Sequence, residues 1–193
     1  AWSGQFEYLE RAQQRLALIV PVTLGIIFLL LYLNFRRLSD TLLVIGALPF
    51  ALVGGLFLLW ALDYDFSVAV GAGFLALAGL TAETGVIMLL FLNQARERAL
   101  EAGSLRTIQD LWSATIEGAT YRARPLLMTV ASDVIGLLPI MWGAGTGSET
   151  MRRIAAPMVG GVLTATLVTL IVIPVLFVIV HGRRLPSAST EDQ

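Results

Sequence analysis

Three stretches of this chain run for twenty residues or more without a charged side chain: Leu16–Phe35, Thr41–Leu62 and Ile154–Val180. Twenty helical residues cover ~30 Å, the thickness of a bilayer's hydrocarbon core. Two further runs are broken once each, Phe66–Ala95 by Glu83 and Pro125–Ser148 by Asp133. Hydrocarbon offers the backbone no partners, so segments of this kind become helices that satisfy their own N–H and C=O groups. The expected fold is therefore all-α: a polytopic membrane protein with five transmembrane helices over 16–35, 41–62, 66–95, 125–148 and 154–180. Pro157 and Pro174 do not break the fifth run, because neighbouring groups in a membrane bundle re-satisfy a freed carbonyl. The soluble alternative, five buried core helices, needs a large partner surface to cover them.

Composition agrees. Of 193 residues, 56% are hydrophobic and 14% charged, against about a quarter charged in ordinary globular chains. Cysteine is absent, which excludes a disulfide framework and thiolate metal sites. A net charge of −1, with no basic patch interleaved by aromatics, excludes nucleic acid as the partner; the lipid bilayer is the expected surrounding. The chain opens Ala-Trp-Ser and carries no secretory signal, so it is expected to be a piece of a longer protein.

All thirteen basic residues are Arg. With five spans, Arg36, Arg37, Arg96, Arg98, Arg106, Arg122, Arg124, Arg183 and Arg184 fall on one side, together with His181. Arg11, Arg15, Arg152 and Arg153 fall on the other. The positive-inside rule then predicts an external N-terminus and a cytoplasmic C-terminus. Residues 1–15 become the end of an external domain and residues 181–193 a polar cytoplasmic tail. Tyr8, Trp60, Tyr64, Tyr121 and Trp142 fall near span ends, as interfacial aromatics do. Between the third and fourth spans, residues 96–124 form a cytoplasmic amphipathic loop. Leu105, Ile108, Leu111, Trp112 and Ile116 recur there at helical spacing, which predicts a helix resting on the headgroups.

The chemistry lies in the two interrupted spans. A carboxylate at the bilayer centre costs roughly 2.5–3.5 kcal/mol, and such residues face protein or water and mark ion or proton pathways. Ala72, Ala76, Gly79, Glu83 and Val86 share one helical face; Thr129, Ser132, Asp133, Gly136 and Ile140 share another. Small residues on both faces allow close approach of a further helix. Glu83 lies ten residues before Asn93 and Asp133 nine after Arg124, so counting puts both roughly 14–15 Å inside the boundary. Two readings stand for each acid: a protonated, hydrogen-bonded packing residue, or a group whose raised proton affinity lets it load and release a proton.

Four segments carry a resemblance: Ala1–Arg15 (AWSGQFEYLERAQQR), Gly79–Met88 (GLTAETGVIM), Arg122–Val130 (RARPLLMTV) and Gly145–Gly161 (GTGSETMRRIAAPMVGG). Together they are similar to the resistance–nodulation–division (RND) efflux permeases, and within these to the heavy-metal branch, copper/silver CusA-type. RxRPxxMT is shared widely in the family; WSGQFEYLERA with GSExMxRIAAPM is more specific. The resemblance implies the end of the second periplasmic region followed by spans eight to twelve. It also implies an inner-membrane homotrimer driven by proton influx, with a periplasmic adaptor and an outer-membrane channel as partners. No enzymatic activity and no resident cofactor are implied; the cargo is Cu(I) or Ag(I).

By the same resemblance Glu83, in the AExGVxM segment, is a proton-relay member. Thr129 (the Thr of RPxxMT) and Arg122 (the first Arg of RxRP) join it. Met151 matches the Met of GSExM, part of a methionine path for the metal, and thioether sulfur suits a soft monovalent cation. Met88, Met128, Met141 and Met158 are read as packing. Copper/silver members carry Lys directly after the Pro of RxRP, where this chain has Leu126. Asp133 stands where the family carries an apolar residue, and is added to the relay on that account. Two alternatives are a pump for organic amphiphiles, which shares RxRPxxMT, and an intramembrane aspartyl protease, which needs two membrane carboxyls but also a GxGD pattern absent here.

Overall fold

The structure, a computed structural model, describes residues 3–143 and 145–182, with side chains from residue 11 onward except at 12, 13 and 16. Ala1–Trp2 of the expected external segment and residues 183–193 of the expected tail lie outside the described residues. Among the described residues six α-helices follow one another: α1 Ser3–Phe35, α2 Leu38–Ala61, α3 Val68–Glu101, α4 Ile108–Trp142, α5 Ser148–Leu167 and α6 Ile173–Gly182. A five-residue π-helical turn, Val168–Val172, joins α5 to α6. The last three pieces make one rod, and five rods in all are long and apolar enough to cross a membrane.

The π turn has a local cause. Pro174 has no N–H for the carbonyl of Leu170 and its ring presses on that turn; one wide turn ahead of it absorbs the mismatch. Elsewhere the helix starts are chemical. Ser67 accepts from the Val70 N–H at 3.4 Å. Thr107 and Asp110 form a reciprocal capping box, with the Asp110 carboxylate taking the Thr107 N–H at 2.7 Å. At the far end of α3, Gly103 adopts φ +65°, and Gly103 and Ser104 return their N–H groups to Leu100 and Ala99, a left-handed glycine close of the kind that ends helices.

That capping box changes one expectation. Residues 96–124 are not a separate surface loop: α3 runs on to Glu101, α4 starts at Ile108, and α4 passes through Pro125 without interruption. Hydropathy reports where a bilayer begins, whereas a helix continues wherever caps and propensity allow. The apolar residues of this stretch also divide. Leu111, Ala114, Thr115 and Gly118 are buried against the bundle, while Ile108, Trp112 and Ile116 face outward.

The rod beginning with α5 is the centre of the bundle and packs on α2, α3 and α4. Its contact with α2 depends on missing side chains: a Cβ on Gly160 would lie 2.5 Å from the Gly54 carbonyl oxygen and 2.7 Å from Leu58 Cβ. Such a small-residue crossing is how helices associate where apolar burial gives no preference for protein over lipid. Leu77, Met88, Leu89, Leu92, Leu126, Ile173 and Phe177 fill the core. In contrast α1 touches α2 and α3 lightly, and most of its apolar surface is open. Trp60, Tyr121 and Trp142 all face outward.

One end of the bundle gathers Arg36, Arg37, Asp40, Arg96, Arg98 and His181; the other gathers Asp63, Tyr64, Glu149, Met151, Arg152 and Arg153.

Candidate functional site

Between α3, α4 and α5 lies a crevice of about 70 Å³, lined by Leu80, Thr81, Glu83 and Thr84, by Arg122, Thr129, Val130 and Asp133, and by Val162, Ala165 and Thr166. Glu83, Asp133, Thr129 and Arg122, picked out separately along the sequence, therefore share one cavity. Its volume holds a few water molecules, and its walls offer the polar partners that water needs.

Register orders the groups along the crevice. Gly118 lies against Ala95, the Phe91 carbonyl and Leu92, where a Cβ would meet neighbours at 3.0–3.4 Å. Counting along the antiparallel pair from there puts Thr129 opposite Glu83 and Asp133 about one turn, or ~6 Å, farther from the arginine-rich end. The equal depths expected of the two acids are thus corrected by one turn, because Gly118 and not the edge of the apolar run sets the register. Arg122 lies about two turns the other way, at the mouth facing the arginine-rich end. Its Nε is buried and has no hydrogen-bond partner among the described residues.

The threonine hydroxyls lining the crevice all donate into their own helices. Thr81 bonds the Leu77 carbonyl at 2.8 Å, Thr84 the Thr81 carbonyl at 3.0 Å, and Thr166 the Val162 carbonyl at 2.7 Å. Thr129 bonds the Pro125 carbonyl at 3.0 Å. Among the described residues no hydrogen bond joins Thr129 to Asp133; the carbonyl one turn back is nearer at hand for any helical threonine. With their protons so committed, these oxygens offer only lone pairs to the crevice. Among the lining groups Glu83 and Asp133 bring carboxyls, and Arg122 a fixed positive charge.

The outer surfaces of α3 and α4 are open. Ala72, Ala76, Gly79 and Glu83 are exposed along α3, as are Thr129, Ser132 and Gly136 along α4, with Asp133 half-buried. No atom lies within 4 Å of where a Cβ would stand on Gly79 or Gly136. The helix-contact faces expected from sequence are present, but nothing among the described residues occupies them. Leu126 is fully buried in the core and does not line the crevice.

Met151 stands apart, in the first turns of α5 at the opposite end, and is 58% exposed. Neither adjacent arginine crowds it. Arg152 donates to the Gly143 carbonyl, and Arg153 pairs with Glu149 at 2.8 Å and lies over the Tyr64 ring. The thioether is thus presented outward, away from the crevice.

Sequence reasoning passed over a second polar centre, in which Asp40, Asn93 and His181 meet inside the arginine-rich end. Its signals were modest: the chain's one histidine, and an acid just ahead of an apolar run.

A family model described as "AcrB/AcrD/AcrF family" matches residues 1–181. The cation efflux system protein CusA of Escherichia coli (strain K12) is 54% identical over 179 residues, 92% of this chain and 17% of that protein. The putative cation efflux system protein SilA of Salmonella typhimurium is 51% identical over 186 residues, 95% of this chain and 18% of its own length. A crystal structure of a heavy metal efflux pump superposes with a TM-score of 0.78 at 34% identity, covering 93% of this chain and 17% of that one. The chain thus spans about a sixth of the length of the curated relatives it matches.

Proposed function

The chain belongs to the AcrB/AcrD/AcrF family, and from that premise we propose that it is the last membrane section of a proton-driven efflux permease exporting Cu(I) or Ag(I). It lies in a bacterial inner membrane with its N-terminus periplasmic and its C-terminus cytoplasmic, the arrangement that the arginine distribution favours. The full-length pump is a homotrimer working with a periplasmic adaptor and an outer-membrane channel.

The observation that carries the proton step is the shared crevice of Glu83, Asp133, Thr129 and Arg122. Of the groups lining the crevice, the two carboxyls are those able to take up and release a proton. The proton enters from the periplasmic side and rests on the Glu83–Asp133 pair. It leaves past Arg122, at the mouth facing the arginine-rich end. The open faces of Gly79 and Gly136 are where the rest of the permease packs, so the conformational response to the proton is read across them. Thr129 supplies an acceptor oxygen beside Glu83.

Support for the cargo comes from identity to the two cation efflux proteins, from the GSExMxRIAAPM segment, and from Met151. An uncharged thioether binds a soft monovalent cation without giving up a proton. At an exposed site on the periplasmic end, Met151 handles the metal, spatially separate from the proton step.

Metal tolerance of cells expressing the full-length pump tests both parts. Glu83→Gln keeps the shape of the side chain but cannot titrate; tolerance is expected to fall to that of cells without the pump, with the trimer intact. Met151→Ile keeps the volume and removes the sulfur, and is expected to lower copper and silver tolerance while proton movement persists. Unchanged tolerance in Glu83→Gln at equal expression would overturn the proton assignment; unchanged tolerance in Met151→Ile would leave that methionine a packing residue.

A further inference from the structure

At the arginine-rich end, Asp40 on α2 and His181 on α6 are each 1% exposed and lie 3.4 Å apart, Oδ1 to Nε2. Asn93 of α3 donates its Nδ2 to the other carboxylate oxygen at 3.1 Å. The imidazole stacks on Phe177 at 4.2 Å between centroids, and its Nδ1 faces the Phe177 carbonyl at 3.1 Å. A carbonyl only accepts, so Nδ1 carries a hydrogen. The neutral ring then presents a bare lone pair on Nε2 to the carboxylate. Asp40 Oδ1 and His181 Nε2 are both buried without a hydrogen-bond partner among the described residues, and they face each other.

Two facing acceptors out of water repel, and each forfeits a hydrogen bond it would have had in solvent. One proton removes both penalties, giving imidazolium and carboxylate, or imidazole and carboxylic acid, with a net charge of zero. The 3.4 Å separation is longer than a formed hydrogen bond and leaves room for the pair to close. We propose that Asp40 and His181 form a second protonation site of this bundle, which binds a single proton between Oδ1 and Nε2 and so clasps the end of α6 to α2 and α3.

The surroundings fit a site that titrates as a unit. Arg37 at the start of α2 and Arg96 on α3 are the cations whose charge bears on the imidazole. From α4 the neighbour at the end of α6 is the apolar Leu111, 3.9 Å from where a Cβ on Gly182 would stand; Asp110 beside it is engaged in its capping box. Ile173 and Phe177, both fully buried, fill the rod between this site and the crevice of Glu83 and Asp133. The clasp is thus a separate proton site, and its existence does not depend on which group carries the coupling proton. Uptake adds one proton from water to the pair, taking its charge from −1 to 0; release returns that proton to water.

The test is a histidine nitrogen NMR titration of the full-length pump, labelled at histidine, with the His181 signals identified by their loss in His181→Gln. In the wild type Nδ1 stays protonated while Nε2 passes once from protonated to bare as the pH is raised, burial disfavouring the charged ring and the Asp40 carboxylate opposing that. Asp40→Asn removes the anion and moves that transition to lower pH by about tenfold or more in proton concentration. Asn93→Leu strips the carboxylate of its other hydrogen bond and moves the transition to higher pH, which keeps a test available if Asp40→Asn does not fold. An Nε2 signal that does not change over the range, or a transition left in place by the variants that fold, would overturn the proposal.

Discussion

Asp40 and Glu83 are carboxylates in one bundle, and almost nothing else about their surroundings agrees. Asp40 is fully buried, hydrogen-bonded to Asn93 and set against His181, so two other helices of this chain supply its partners. Glu83 is exposed, with small residues above and below it and open space where a neighbouring helix would lie. The first is complete within the chain, as expected of a group that holds helix ends together. The second shares a crevice with Asp133 and faces open space outside the chain, as expected of a group whose protonation other parts of a larger protein must read. Burial alone therefore does not mark the transport site; the more exposed acid is the stronger candidate.

The largest expected effect is on stability at the closed site. Asp40→Ala in the full-length pump leaves Asn93 and His181 buried without their partner, at about 1–3 kcal/mol for each group, read as a lowered unfolding temperature. Glu83→Ala is expected to change stability by about 0.5 kcal/mol or less, as at other open positions. Equal losses at the two positions would break the comparison.

A smaller effect separates the inner and outer helix faces. Gly160→Ala forces a methyl against the Gly54 carbonyl and Leu58 and is expected to cost about 1–3 kcal/mol. Gly136→Ala meets nothing outside its own helix within 4 Å among the described residues, so any cost comes from the rest of the permease and is expected to be the smaller of the two. A loss at Gly136 as large as at Gly160 would sharpen the comparison by showing that the outer face is tightly packed in the complete pump.

Within the crevice, Asp133→Asn is expected to slow export about tenfold, because the remaining acid no longer has a partner to share its proton with. Thr129→Val is expected to be the mildest change, a few-fold at most, since its hydroxyl proton is already spent on the Pro125 carbonyl. Transport rates in proteoliposomes would rank the two; a Thr129 effect larger than that of Asp133 would reverse the roles given to them.

Much of this was legible from the residues in order. Five uncharged or once-broken runs became five membrane-length rods, because a bilayer leaves a chain few other choices. Glu83, Asp133, Thr129 and Arg122 were each conspicuous as polar groups in or beside apolar runs, and they meet in one crevice. Helix ends were less legible. Charged residues such as those of 96–101 and 108–124 continue a helix as readily as apolar ones do, so α3 and α4 overrun the apolar segments. The Asp40–His181 pair was not legible at all. Its members are far apart along the chain, and each reads alone as an ordinary boundary residue; only the meeting of α2 and α6 makes them a pair. Register was hidden for a similar reason, since Gly118 fixes it through a backbone contact that no periodicity reveals.

Proton flux through the reconstituted full-length pump tests the central claim most directly. A pH-sensitive dye inside proteoliposomes, with a metal gradient imposed across them, reports proton movement for the wild type, Glu83→Gln and His181→Gln. Metal-dependent proton movement is expected in the wild type, absent in Glu83→Gln and retained in His181→Gln, with all three proteins trimeric. Undiminished proton movement in Glu83→Gln would contradict the account, because the crevice of Glu83 and Asp133 would then not be where the coupling proton binds.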